Sequence, residues 1–90
     1  MDAATSELTV LYFAWLRERV GTGEETLSLP VGVRNVGDLI AWLVERSPCH
    51  AAAFENRGAI RCAVNQDFAD NAVLLRSGDE VAFFPPVTGG

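Results

Sequence analysis

The residues best placed to do chemistry are the last ones. The sequence ends DEVAFFPPVTGG: a strand-like apolar run, two prolines, Val87, Thr88 and a bare Gly89-Gly90 carboxylate. At a glycine frequency of about 7%, two glycines in this position arise by chance in roughly 0.5% of chains, so composition explains them poorly. Pro85 and Pro86 favour extended backbone and fix the direction in which the tail leaves the body, which a mere linker would not need. The four residues 87–90 reach at most ~14 Å. Without Cβ atoms on Gly89 and Gly90, the backbone can pass close to catalytic groups in a narrow channel of another protein. The Gly90 carboxylate is a poor electrophile as it stands. Once activated, for example by transfer of AMP from ATP, it can receive an amine, a thiol or a sulfur atom. The chemistry this predicts is acyl transfer at Gly90, with the domain as its handle.

Other reactive residues offer less. His50 is the sole histidine, and its adjacency to Cys49 is no nucleophile–base pair, since such partners meet in the fold rather than in sequence; it reads as a loop histidine beside an inert thiol. Cys62 lies in the apolar run AIRCAVN and reads as a small buried hydrophobe. The two cysteines have no metal-like spacing and form no disulfide framework. GTGEET has glycines but neither a strand–glycine–helix context nor a lysine, so it offers no phosphate cradle. No cofactor and no metal are expected on the chain itself.

Composition narrows the partners. Twelve acidic residues against seven basic ones, all arginine, give a net charge of −5, which argues against nucleic acid and against an anionic membrane. Any phosphate-bearing substrate must find its positive charge mainly on a second protein. With 49% hydrophobic and 21% charged residues, 90 residues suffice for one packed core and leave no room for a second. The N-terminal MDAATSE carries acid where a signal peptide needs base, and no apolar run approaches the ~18 residues that span a bilayer; a cytoplasmic protein is expected.

These residues need elements to position them. Residues 8–16 are rich enough in β-branched and aromatic side chains for a strand, with WLRERVG able to turn helical before Gly21. Gly21 to Gly23 supply a turn, and Leu27 and Leu29 alternate with Thr26 and Ser28 as a half-buried second strand would. Val36, Leu39, Ile40, Leu43 and Val44 form one helical stripe, begun by Asn35 as N-cap and stopped after Ser47 by Pro48, so a helix is predicted over 35–46. A helical turn in HAAAFENRG, a strand over 59–65, a weak one at AVLL and a closing strand over 81–84 complete the order. The expected fold is α+β, a small mixed sheet with one main helix on one face, in the order of a ubiquitin-like β-grasp. Residues 1–7 are expected as an arm, 8–86 as the domain and 87–90 as the extended tail.

Both alternating sets of LTVLYFAW are apolar: Val10, Tyr12 and Ala14 on one side, Leu11, Phe13 and Trp15 on the other. Val81 and Phe83 likewise face away from Phe84. One helix covers one sheet face, so the other is either an apolar docking patch or buried by loops or self-association. Phe68, isolated in NQDFADN, favours docking.

SGDEVAFFPPVTGG closely resembles the C-terminal signature of molybdopterin synthase small subunits, the MoaD-type ubiquitin-like sulfur carriers. VLYFAWLRERVG is similar to their first strand and turn, and AVNQ to their central strand. The resemblance spans 10–90 and is mainly one of pattern over 24–57. It implies that Gly90 is adenylated by a ubiquitin-activating-like adenylyltransferase using ATP, then converted to a thiocarboxylate by a sulfur donor protein. The tail Val87, Thr88, Gly89, Gly90 would then enter the large catalytic subunit of molybdopterin synthase, in a heterotetramer, and give sulfur to a cyclic pterin precursor. Phe13, Phe68 and Phe84 would match the family's hydrophobic contact patch, and Arg17 a polar contact. The rival readings are a ubiquitin-like modifier forming isopeptides, limited to single attachment because this chain has no lysine, a sulfur carrier of another pathway such as thiamine synthesis, and a plain interaction module.

Overall fold

The computed structural model describes residues 6–86; most of the expected arm and the whole tail 87–90 lie outside the described residues. Alternation along β1 (Ser6–Tyr12) turns Leu8, Val10 and Tyr12 inward, and all three are buried. β1 pairs antiparallel with β2 (Glu24–Leu29), from Ser6↔Leu29 to Leu11↔Glu24. On its other side it pairs parallel with β5 (Glu80–Phe84), from Thr9↔Glu80 to Tyr12↔Phe83. β3 (Arg61–Val64) runs antiparallel to β5 and carries the two-residue β4 (Asp67–Phe68) outside it. The result is a mixed five-stranded sheet in the order β2-β1-β5-β3-β4, the expected β-grasp arrangement.

The first strand begins two residues earlier and ends sooner than its composition predicts. Ala14 adopts φ 56°, which cannot continue a ladder, and the chain enters α1 (Trp15–Val20), whose Leu16 and Val20 are buried one turn apart. Trp15 therefore belongs to a helix and not to the strand face of Leu11 and Phe13. Gly21, at φ 98°, closes α1 by donating its N–H to the Arg17 carbonyl.

α2 (Val36–Val44) follows the predicted stripe, with Val36, Leu39, Ile40 and Leu43 buried. The Asn35 side chain accepts from the Asp38 N–H at 2.7 Å, as its N-cap position requires. Pro48 starts the next helix as well as ending this run: Ser47 caps α3 (Pro48–Ala53), where a first-turn proline loses no helical hydrogen bond. A 3-10 turn over Arg57–Ala59 takes the start of the expected strand over 59–65. The expected strand at AVLL reduces to one bridge, Asn35↔Leu74, because among the described residues its ladder partner is the short loop that turns into α2. Asn65 and Gln66, at φ 51° and 74°, make the two-residue turn between β3 and β4. The Asn65 side chain ties that turn to the start of β5, donating to Asp79 Oδ1 at 2.9 Å and accepting from the Glu80 N–H at 3.0 Å.

The core lies between the helices and one sheet face. Phe54 meets Phe83 edge to face at 5.0 Å, and Tyr12 stacks on Phe83 at 6.3 Å. Among the described residues no helix is long and apolar enough to cross a membrane.

Candidate functional site

β5 leads to the tail. Val81 and Phe83 are fully buried, while Ala82 and Phe84 are half-buried on the opposite face. The pairings Leu11↔Ala82, Ala63↔Ala82, Ala63↔Phe68 and Arg61↔Phe84 place Leu11, Ala82, Ala63, Phe68 and Phe84 together on the face away from the helices. Phe68 is 83% exposed, and its ring lies 6.1 Å from that of Phe84. Phe13, 48% exposed, carries the alternation of β1 one residue further on the same face. The sheet thus brings the three predicted phenylalanines to one apolar face that no helix of the described chain covers. Among the described residues the rings of Phe13 and Phe68 stand in solvent rather than under a loop of the chain.

Arg17 stands apart from that cluster. It is exposed on α1, and its guanidinium lies over Gly23, where an added Cβ would come within 3.2 Å of Nε. Pro85 and Pro86 come directly after Phe84, and Pro86 lines an open cleft of about 1040 Å³ together with Phe68, Phe84 and Arg61. The predicted site residues Val87, Thr88, Gly89 and Gly90 lie outside the described residues.

His50 is not the loop histidine that its sequence neighbourhood predicts. It sits in α3, 7% exposed. Its Nε2 is 2.8 Å from Glu25 Oε2, which also accepts the Tyr12 hydroxyl at 2.8 Å. A carboxylate only accepts, so Nε2 carries the hydrogen, and in the neutral ring Nδ1 accepts from the Ser47 hydroxyl 2.8 Å away. This polar cluster ties α3 to β1 and β2. Half of it is visible in sequence, because Ser47 and His50 have the three-residue spacing of a helix cap. Burial pushes the Tyr12 phenol far above its ordinary range, helped by Glu25. Burial would also raise the Glu25 carboxyl, but hydrogen bonds from His50 and Tyr12 and the charge of Arg46 together hold it below the ordinary value of 4.5.

A depressed folded-state pKa contributes stability above the unfolded value that is lost as pH falls through the folded one. Glu25→Gln is expected to cost about 1–3 kcal/mol near neutral pH, through imperfectly paired Tyr12 and His50. It should also flatten the loss of stability below about pH 4.5. Urea midpoints from pH 7 to pH 3 measure both, and an unchanged acid slope in the variant would remove Glu25 from this role.

Burial raises the Cys62 thiol to about 11, so it is not a nucleophile near neutrality, whereas Cys49 is exposed. Among the described residues no group of three or more His, Cys, Asp or Glu side chains could hold a metal ion.

Residues 10–90 match the model of the ThiS family. The molybdopterin synthase sulfur carrier subunit of Escherichia coli (strain K12) is 41% identical over 83 residues, covering 92% of this chain and 99% of its own length. A Pyrococcus furiosus structure assigned as molybdopterin converting factor, subunit 1, aligns with a TM-score of 0.77 at 33% identity, covering 91% of this chain and 99% of that one. The crystal structure of H. volcanii small archaeal modifier protein 1 aligns with a TM-score of 0.72 at 28% identity, covering 91% and 99%.

Proposed function

Because this chain belongs to the ThiS family, we propose that it is the sulfur carrier subunit of a molybdopterin synthase, with Gly90 as the reacting residue. The observation that carries this reading is the 41% identity to a sulfur carrier subunit across nearly the whole of both chains. The structure adds a physical reason: the last strand is anchored by Phe83 in the core and leads directly into two prolines at the root of the tail.

In this mechanism the Gly90 carboxylate attacks the α-phosphate of ATP on an adenylyltransferase, releasing pyrophosphate and leaving an acyl-adenylate. Sulfide-level sulfur (HS⁻) supplied by a sulfur donor then displaces AMP to give the thiocarboxylate, with no change of oxidation state. Inside the large subunit the sulfur passes to a cyclic pterin precursor, and the tail returns to a carboxylate with an oxygen from water. The chain supplies the group and its presentation; ATP is consumed by the activating enzyme and no cofactor is held by the carrier itself. Basic side chains for the phosphate-bearing substrate belong to the large subunit, which would also attract a carrier of charge −5. On this reading the cycle runs in the cytoplasm, where ATP is supplied.

Intact mass spectrometry after co-expression with an adenylyltransferase and a sulfur donor tests this reading. Replacement of one oxygen by sulfur at Gly90 is the expected result. Isopeptide-linked products would instead support a modifier, the reading favoured by the likeness to the archaeal modifier. An unchanged terminus would count against both.

Docking on the large subunit is assigned to Phe13, Phe68 and Phe84, with Arg17 on α1 as a separate polar contact. Phe84→Asp places a charge at the centre of this face and is expected to weaken the complex by about 2 kcal/mol, roughly thirtyfold. Calorimetry against the large subunit measures it, and an unaltered Kd would remove Phe84 from the interface.

A further inference from the structure

The apolar docking face accounts for Phe68 and Phe84 but not for the two arginines that share the cleft at the root of the tail. Its apolar lining includes Ile60, Phe68, Phe84 and Pro86, and its positive charge comes from Arg57 and Arg61. In a chain of net charge −5, two of seven basic side chains thus converge on one concave surface. Arg57 begins the 3-10 turn, and Arg61 opens β3 opposite Phe84. Arg61 Nη1 donates to the carbonyls of Gly58 and Ile60 at 3.3 and 3.5 Å, which holds the guanidinium against the backbone. Among the described residues neither arginine has a carboxylate within 4 Å. Asp70 also lines the cleft, but its Oδ1 accepts the Ala72 N–H at 2.9 Å and serves its own loop.

We infer that this cleft docks an acidic, apolar-flanked polypeptide segment of an enzyme that handles the tail. Its carboxylates meet Arg57 and Arg61, and its apolar side chains meet Ile60, Phe68 and Phe84. The carrier reading above supplies only the identity of that enzyme; the chemistry of the segment is set by the cleft. Guanidinium groups pair with carboxylates in planar, two-pronged geometry, and the adjoining rings give apolar side chains a place to leave water. A protein segment fits better than a free phosphate, which would find two arginines in an otherwise negative field and no use for the exposed rings. The cleft is continuous with Pro86, so a segment seated there grips the base of the tail while its far end reacts.

The full chain, labelled with ¹⁵N, is titrated with an N-acetylated, C-amidated peptide alternating Leu with Asp and Glu. Controls are the same peptide with Asn and Gln in place of the acids, and inorganic phosphate alone. The acidic peptide should shift the amides of Arg57, Ile60, Arg61, Phe68 and Phe84, and added salt should weaken it. The double change Arg57→Gln with Arg61→Gln should reduce affinity about tenfold, with unchanged spectra elsewhere reporting an intact fold. Equal binding of the neutral peptide overturns the proposal. So do identical shifts from phosphate, which would make this a simple anion site. Peptide binding seen only when the chain's own terminal carboxylate is amidated also overturns it, because the terminus would then be the occupant. A chain that gains sulfur at Gly90 but ignores the peptide sinks this inference alone, and one that binds the peptide but never gains sulfur sinks the carrier reading alone.

Discussion

Adding a single alanine after Gly90 is expected to abolish sulfur transfer, lowering it by at least about a thousandfold, while the urea midpoint stays where it was. The size of the loss is set by the geometry of the reaction. In the proposed mechanism the carboxylate must sit within bonding distance of the ATP α-phosphate, and an extra residue moves it by about 3.5 Å. An added methyl group also brings a Cβ to the narrow end of the channel, which on this reading takes the Cβ-free Gly89 and Gly90. The buried core of the described residues is complete by Phe83, seven positions before Gly90, so an added residue is expected to leave the fold unchanged. Single-turnover assays with the activating enzyme and the large subunit measure the first half, and equilibrium unfolding the second. Wild-type transfer by the extended chain would remove the free end from the mechanism.

The second large effect is on stability. Phe83→Ala should cost about 3–5 kcal/mol, a large part of the roughly 5–15 kcal/mol that holds a small domain together. Phe83 is fully buried and touches two rings at once, Phe54 at 5.0 Å and Tyr12 at 6.3 Å. Its neighbour Phe84 lies half-buried on the other face, so Phe84→Ala should cost far less stability and act instead on docking. Urea unfolding of the two variants separates these roles, and equal losses would contradict the assignment of one phenylalanine to the core and one to the surface.

Much of this architecture can be read from residue spacing. The stripe of α2 and its Asn35 cap, and the alternation of Leu27 and Leu29 in β2, are local patterns that a few neighbouring residues determine. Apolar content overextends β1 because it does not record the single dihedral at Ala14 that ends the strand. β4 is invisible to spacing because two residues carry no periodicity; it exists only through the left-handed turn at Asn65 and Gln66 and its pairing with β3. Glu25 lies 25 residues from His50, so no local pattern could announce their contact. The same holds for Arg57 and Arg61, whose shared cleft with Pro86 depends on β3 running beside β5. The tail is legible for the opposite reason, since its chemistry needs only covalent order and the absence of side chains.

Among the described residues β5 is the last strand in sequence, yet it lies between β1 and β3 and alone joins the two halves of the sheet. A nascent polypeptide lacking it holds two separated hairpin-like fragments with nothing to seal them. Closure of the domain must therefore wait for β5. The strand that seals the sheet is thus also the one that leads into Pro85 and Pro86, so the root of the tail takes its place only as the domain closes.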